Sequence, residues 1–228
     1  MKLIVLKKSI IITVIAILLS GIALGVCAGA LAATSSPGDK IIVIDAGHGG
    51  VDGGVTGINT GIKESEINLA IAKQLKGYFA EAGFTVVMTR SHSGGLYGMA
   101  TTGFKMRDMK KRRQIIEESG ADMVISVHQN LCPIPSRRGG QVFFNSESVS
   151  GKALADSIQK SLNEMPECVK KSSALVGDYF MLKCTDSPSV IVECGFLSNG
   201  EDEKLLSTPE YQKSVAYAIF KGAVAYYS

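Results

Sequence analysis

Apolar and polar positions along this chain alternate between short unbroken apolar runs and longer stretches with helical spacing. Residues 41–45 (IIVID) form a continuous apolar run of strand length that ends on a carboxylate, the pattern of a strand buried on both faces. A glycine-rich loop follows over 46–61. Across 64–82, Ile67, Ala70, Ile71, Leu75, Tyr78 and Phe79 recur with the period of an amphipathic helix, and Gly83 stands where a helix cap belongs. Residues 84–89 (FTVVMT) predict a second strand, 91–103 a glycine-containing loop, and 106–119 a charged helix with several basic residues. A third strand is predicted over 121–128 (ADMVISVH) and a fourth over 140–144. A helix over 150–164 carries Ala153, Ile158 and Leu162 on one side. Two more strands are predicted over 179–182 and 189–193 (SVIVE), then a closing helix over 209–226 with Pro209 in its first turn. Strand alternating with helix implies an α/β fold, a largely parallel sheet covered on both faces. Ligands of such sheets sit beyond the carboxyl ends of the strands. Asp45 with His48, then His128, then Glu193 fall at three such ends.

Composition changes this picture at the N-terminus. Lys2, Lys7 and Lys8 precede an uncharged apolar run over 9–33, and residues 1–33 contain no acid. A basic start followed by an apolar stretch reads as an export signal. Two versions stand side by side. Small residues over 30–33 resemble a cleavage site, whereas the run is long enough, against the roughly 20 residues required, to stay in a bilayer as an anchor. Residues 1–33 are therefore read as signal peptide or membrane anchor, 34–40 (TSSPGDK) as a linker and 41–228 as the catalytic domain. Both versions put that domain outside the cytoplasm, secreted or membrane-anchored, with the membrane touched only through the N-terminal segment. The three lysines account for the whole formal net charge of +3, so the remainder is near neutral and gives no argument for nucleic acid as a partner. Cys132, Cys168, Cys184 and Cys194 are even in number, which permits disulfides in an exported chain, but they show no C-x-x-C pair or dense framework, and buried free thiols are the plainer reading.

Histidine is scarce, only His48, His92 and His128. His48 sits in DAGHGG just past a predicted strand, where glycines let the backbone turn tightly and bring an imidazole to a metal. His128 closes the third strand, and Glu64 opens the first helix. Two imidazoles and a carboxylate with an open fourth position are a common catalytic zinc set, here one Zn2+ per chain. Glu193, at the end of an apolar strand, is the candidate for the second carboxylate that such chemistry needs for proton transfer.

Four stretches, 44–54 (IDAGHGGVDGG), 61–75 (GIKESEINLAIAKQL), 121–130 (ADMVISVHQN) and 190–199 (VIVECGFLSN), resemble the zinc N-acetylmuramoyl-L-alanine amidases and stand in that family's order. The resemblance implies a three-layer fold with a mixed sheet of about six strands between helices. It implies zinc held by His48, Glu64 and His128, with Glu193 catalytic. Asn130 and Asn199 match polar positions near the site, with substrate-binding or site-supporting roles. The implied partner is peptidoglycan, glycan strands with their stem peptides. The apolar N-terminal segment, the length and the 103–112 segment are most similar to the germination-specific branch of spore formers. That branch implies action on spore cortex during muramic-δ-lactam formation, in the cell envelope or forespore intermembrane space, with an accessory protein as a further partner. Cys194 and Gln129 depart from the family's usual residues without removing a proposed ligand.

Three alternatives follow from the same residues. Cys194 with His128 or His48 would make a thiol hydrolase, although neighbours on a strand face opposite sides and Cys194 would then point away from Glu193. A His48–His92–His128 set is a second zinc arrangement. A non-catalytic or partner-activated peptidoglycan-binding protein would keep the fold.

Overall fold

The computed structural model describes residues 37–99 and 102–227, so the segment read as an export signal or anchor over 1–33 lies outside the described residues. Among the described residues no helix is long and apolar enough to cross a membrane. Six strands form one sheet: β1 (Ile41–Ala46), β2 (Thr85–Met88), β3 (Met123–Asn130), β4 (Gln141–Phe144), β5 (Leu175–Val176) and β6 (Ser189–Phe196). Their order is β2-β1-β3-β6-β4-β5. The first four run parallel, β4 is antiparallel to β6, and β5 is parallel to β4. The sheet is mixed and largely parallel, flanked by α1 (Glu64–Glu81), α2 (Phe104–Ser119), α3 (Val149–Asn163), α4 (Gly200–Leu206) and α5 (Pro209–Tyr226).

Strand alternation assigns the two faces. Ile42, Ile44 and Ala46 of β1, Met123, Ile125 and Val127 of β3, and Val190, Val192 and Cys194 of β6 join the larger core under α1, α3 and α5. Val43, Val124 and Ile191 point the other way, into a smaller core with Ile116 of α2 and with Met181 and Leu182. Each fully buried aliphatic side chain contributes about 1.5–3 kcal/mol relative to exposure, so both faces are held firmly in register. The same period of two sends Asp45, Ser126, His128 and Glu193 toward the smaller, α2 side. Asp45 pairs in register with Ser126, and His128 with Glu193.

Helix ends follow local chemistry. Ser148, Asn199 and Thr208 cap α3, α4 and α5 through their side-chain oxygens. Gly83 takes φ +89° just after α1, a conformation that costs glycine nothing. One expectation needs correction. The strand expected over 179–182 is a 3-10 turn, Phe180–Lys183. Consecutive Met181 and Leu182 are both buried there, which alternation along a strand cannot do. The sixth strand is instead β5, whose two residues are exposed at the sheet edge and carry no alternating signal. α4, absent from the sequence reading, is one capped stretch of seven residues.

Candidate metal and catalytic centre

β1 ends in a loop that must deliver His48 to the rim of the sheet. His48 adopts φ +60° and is the one non-glycine residue at positive φ among those described, a strained conformation that needs external support. Two buried guanidinium groups supply it. Arg112 of α2 donates to the carbonyls of Ala46 and His48, both at 2.7 Å. Arg90 donates to those of Ala46 at 2.8 Å and Gly47 at 2.9 Å. Arg112 also meets Asp45 at 2.6 Å and Asp108 at 2.5 Å. Burial works against the Asp45 charge. The Arg112 guanidinium with hydrogen bonds from Ser126 and Thr89 outweighs it and holds the carboxyl at about 2.

The loop brings three donors together. The Nε2 of His48 lies 3.3 Å from Oε1 of Glu64, and Nδ1 of His128 lies 2.9 Å from the same oxygen. One ligand atom from each of the three residues falls within 4.8 Å of the others. Donors bound tetrahedrally at about 2.0–2.1 Å from zinc stand roughly 3.3 Å apart, so the set fits such an ion. The second nitrogen of His48, Nδ1, faces Oδ2 of Asp52 at 3.0 Å, the carboxylate support that orients metal-binding imidazoles. Close approach explains two glycines. A β-carbon at Gly47 would lie 2.2 Å from the His128 ring, and one at Gly54 would lie 2.4 Å from Glu64 Oε2.

Electrostatics agree with a cation site. Burial disfavours charge on Glu64, yet His128 and His48 hold its carboxyl far below the usual carboxylate range. Burial likewise disfavours a charged His48, but Glu64 and Asp52 raise it to about 9. The carboxylates thus demand positive charge at this point. The raised His48 meets part of that demand by holding a proton, and a divalent ion that displaces it meets the demand equally well.

Glu193 stands beside the triad, opposite His128 in the strand register. Its Oε2 is buried without a hydrogen-bond partner. Burial pushes its carboxyl up to about 7, with Glu64 adding to the rise and His128 and His48 opposing it. A carboxyl poised there can both accept and release a proton at neutral pH. It opens onto a cavity of about 270 Å3 whose walls include Phe104, Met109, Tyr179, Phe180 and Met181.

The remaining expected residues lie elsewhere. Asn199 caps α4 and donates to the Pro135 carbonyl at 2.6 Å, and Asn130 accepts from the Leu131 amide at 2.8 Å. Neither lines the cavity. His92 is exposed, its ring accepting from the Gly94 amide, and stands outside the metal-capable group. Cys194 is buried in the core on the opposite side of the sheet, and burial drives its thiol pKa far up, which removes it as a nucleophile. Cys132, Cys168 and Cys184 are free thiols as well. Asp52 and Arg112 were missed by sequence reasoning. Asp52 had a signal, a carboxylate four residues after His48 in the glycine loop. Arg112 had another, a cation spaced with Met109 and Ile116 on the buried stripe of α2.

Known proteins resemble this chain over most of its length. Residues 42–225 match the family described as N-acetylmuramoyl-L-alanine amidase. The germination-specific N-acetylmuramoyl-L-alanine amidase of Bacillus subtilis is 34% identical over 193 residues, 83% of this chain and 80% of that protein. The CwlD amidase from Clostridioides difficile, solved in complex with the GerS lipoprotein, superimposes with a TM-score of 0.79 at 34% identity. That match covers 82% of this chain and 98% of that one. The amidase AmiC2 of Nostoc punctiforme gives a TM-score of 0.70 at 28% identity, over 82% and 96% of the two chains.

Proposed function

The chain belongs to the N-acetylmuramoyl-L-alanine amidase family, and from that premise we propose a zinc-dependent mechanism for it and a place of action in spore cortex. The bond cleaved joins the lactyl carbonyl of N-acetylmuramic acid to the nitrogen of L-alanine in the stem peptide. His48, Glu64 and His128 would hold one zinc ion. When bound, zinc polarises the scissile carbonyl and lowers the pKa of water toward about 7.

Glu193 takes the proton from the attacking water as the oxygen adds to the lactyl carbonyl carbon. It then returns the proton to the alanine nitrogen as the C–N bond breaks, leaving a lactyl carboxylate and a free peptide amine. Asp52 keeps the His48 ring in the tautomer that offers Nε2. Arg112 and Arg90 hold the strained turn beneath it. The observation that carries this reading is Glu193, a buried carboxylate with an oxygen lacking any hydrogen-bond partner and a pKa near 7, next to the converging donors.

Residues 1–33 are proposed to export the chain, which sets the action outside the cytoplasm on peptidoglycan. The germination-specific relative supports cortex as the substrate, and the lipoprotein complex of another relative supports an accessory protein as a partner here too. Digestion of purified cortex glycan, followed by mass spectrometry, tests the proposal. Free stem peptides beginning with L-alanine are expected with zinc and not with a chelator. Equal release under both conditions would refute the metal mechanism.

A further inference from the structure

Behind Glu64, on the sheet face away from the cavity, lies a fully buried amide with no part in the proton transfers. Asn68, one turn beyond Glu64 on α1, is 0% exposed. Its Nδ2 donates to Oε1 of Glu64 at 3.2 Å and to the carbonyl of Gly47 at 3.1 Å. Its Oδ1 accepts from Nε2 of Gln129 at 3.1 Å. The backbone amide of Gln129, directly after His128, also donates to Glu64 Oε1 at 3.1 Å. One side chain therefore touches the helix carrying Glu64, the turn carrying His48 and, through Gln129, the strand carrying His128.

Orientation matters here. An amide turned by 180° would aim its oxygen at a carboxylate and a carbonyl, both acceptors. Gln129 prevents that turn because only its NH2 end can satisfy the Asn68 oxygen. The oxygen end of Gln129 is buried without a hydrogen-bond partner. A buried acceptor left in that state costs about 1–3 kcal/mol, so the Gln129 orientation is maintained for what its other end does.

We propose that Asn68, locked by Gln129, is a positioning residue that presets the Glu64 carboxylate and the Gly47–His48 turn for a divalent cation. The inference rests on the assignment of His48, Glu64 and His128 as ligands. Partners of this kind commonly change metal affinity about 10–100-fold.

The test measures the zinc dissociation constant of the full-length protein by competition with a chromogenic chelator, and separately the urea midpoint of the metal-free protein. Asn68→Ala weakens zinc binding at least tenfold. Gln129→Met, which keeps the volume and removes the donor, weakens it in the same direction by a smaller factor. Gln159→Met is the control. Gln159 is a buried amide on α3 that accepts from the Val142 amide at 2.8 Å, and its loss lowers the urea midpoint while zinc affinity stays unchanged. Wild-type affinity in both Asn68→Ala and Gln129→Met, or an equal loss in Gln159→Met, overturns the positioning role. A wild-type protein that binds no zinc overturns the ligand assignment itself, a different result from variants that match a zinc-binding parent.

Discussion

Replacing Arg112 by Met tests how the strained turn under His48 is held. Arg112 is 2% exposed, and its loss removes hydrogen bonds to Asp45, Asp108 and the carbonyls of Ala46 and His48. Methionine restores most of the volume, so the cost is electrostatic. Removing one partner of a buried ion pair costs about 3–5 kcal/mol, because the other charge stays buried without compensation.

The pH dependence separates this cause from loose packing. In the wild type the Asp45 carboxyl is lowered from 3.8 to about 2. A depressed carboxyl contributes stability that is present above its unfolded pKa and lost as pH falls through the folded one. At about 1.4 kcal/mol per unit, that contribution is on the order of 2 kcal/mol at pH 7. In the variant, burial dominates and raises the Asp45 carboxyl above its unfolded value, so protonation near pH 4 relieves the buried charge. Urea unfolding of the metal-free proteins therefore shows a gap of about 3–5 kcal/mol at pH 7 that narrows toward pH 4. A gap below 1 kcal/mol, or one of equal size at both pH values, refutes the reasoning.

Other predictions address the centre directly. Glu193→Gln keeps zinc stoichiometry while turnover falls by about 10²–10⁴-fold, measured by peptide release alongside metal analysis; full activity would remove Glu193 from proton transfer. Gly47→Ala forces a β-carbon against the His128 ring, so zinc titration should show affinity lost by tenfold or more, with a folded circular dichroism spectrum. His92→Ala leaves zinc content at one per chain, since His92 is exposed and outside the donor group; a fall in content would return it to the ligand set.

How much of this was legible beforehand depends on the distance over which each feature is decided. The runs ending in Asp45, His128 and Glu193 announced strands of a parallel sheet, and their polar termini marked the rim where ligands collect. His48, His128 and Glu193 stood out because a glycine loop and strand ends offer such side chains little packing role, and Glu64 because it opens the helix directly after the glycine loop. The caps at Ser148 and Thr208 are local as well, yet only the structure located them. A strand predicted over 179–182 failed because apolar content alone does not say whether neighbouring side chains share a face.

The supporting charges were beyond the reach of local pattern. Arg112 meets Asp45 across 67 residues, and Ser126 reaches the same carboxylate across 81. Those partnerships exist because β1 and β3 pair in one register with α2 laid over them. A period of two says that Asp45 and Ser126 point away from the aliphatic core. Only the folded sheet brings them, with Arg112, to one place, because burying a charge is tolerated solely where an opposite charge and donors arrive together.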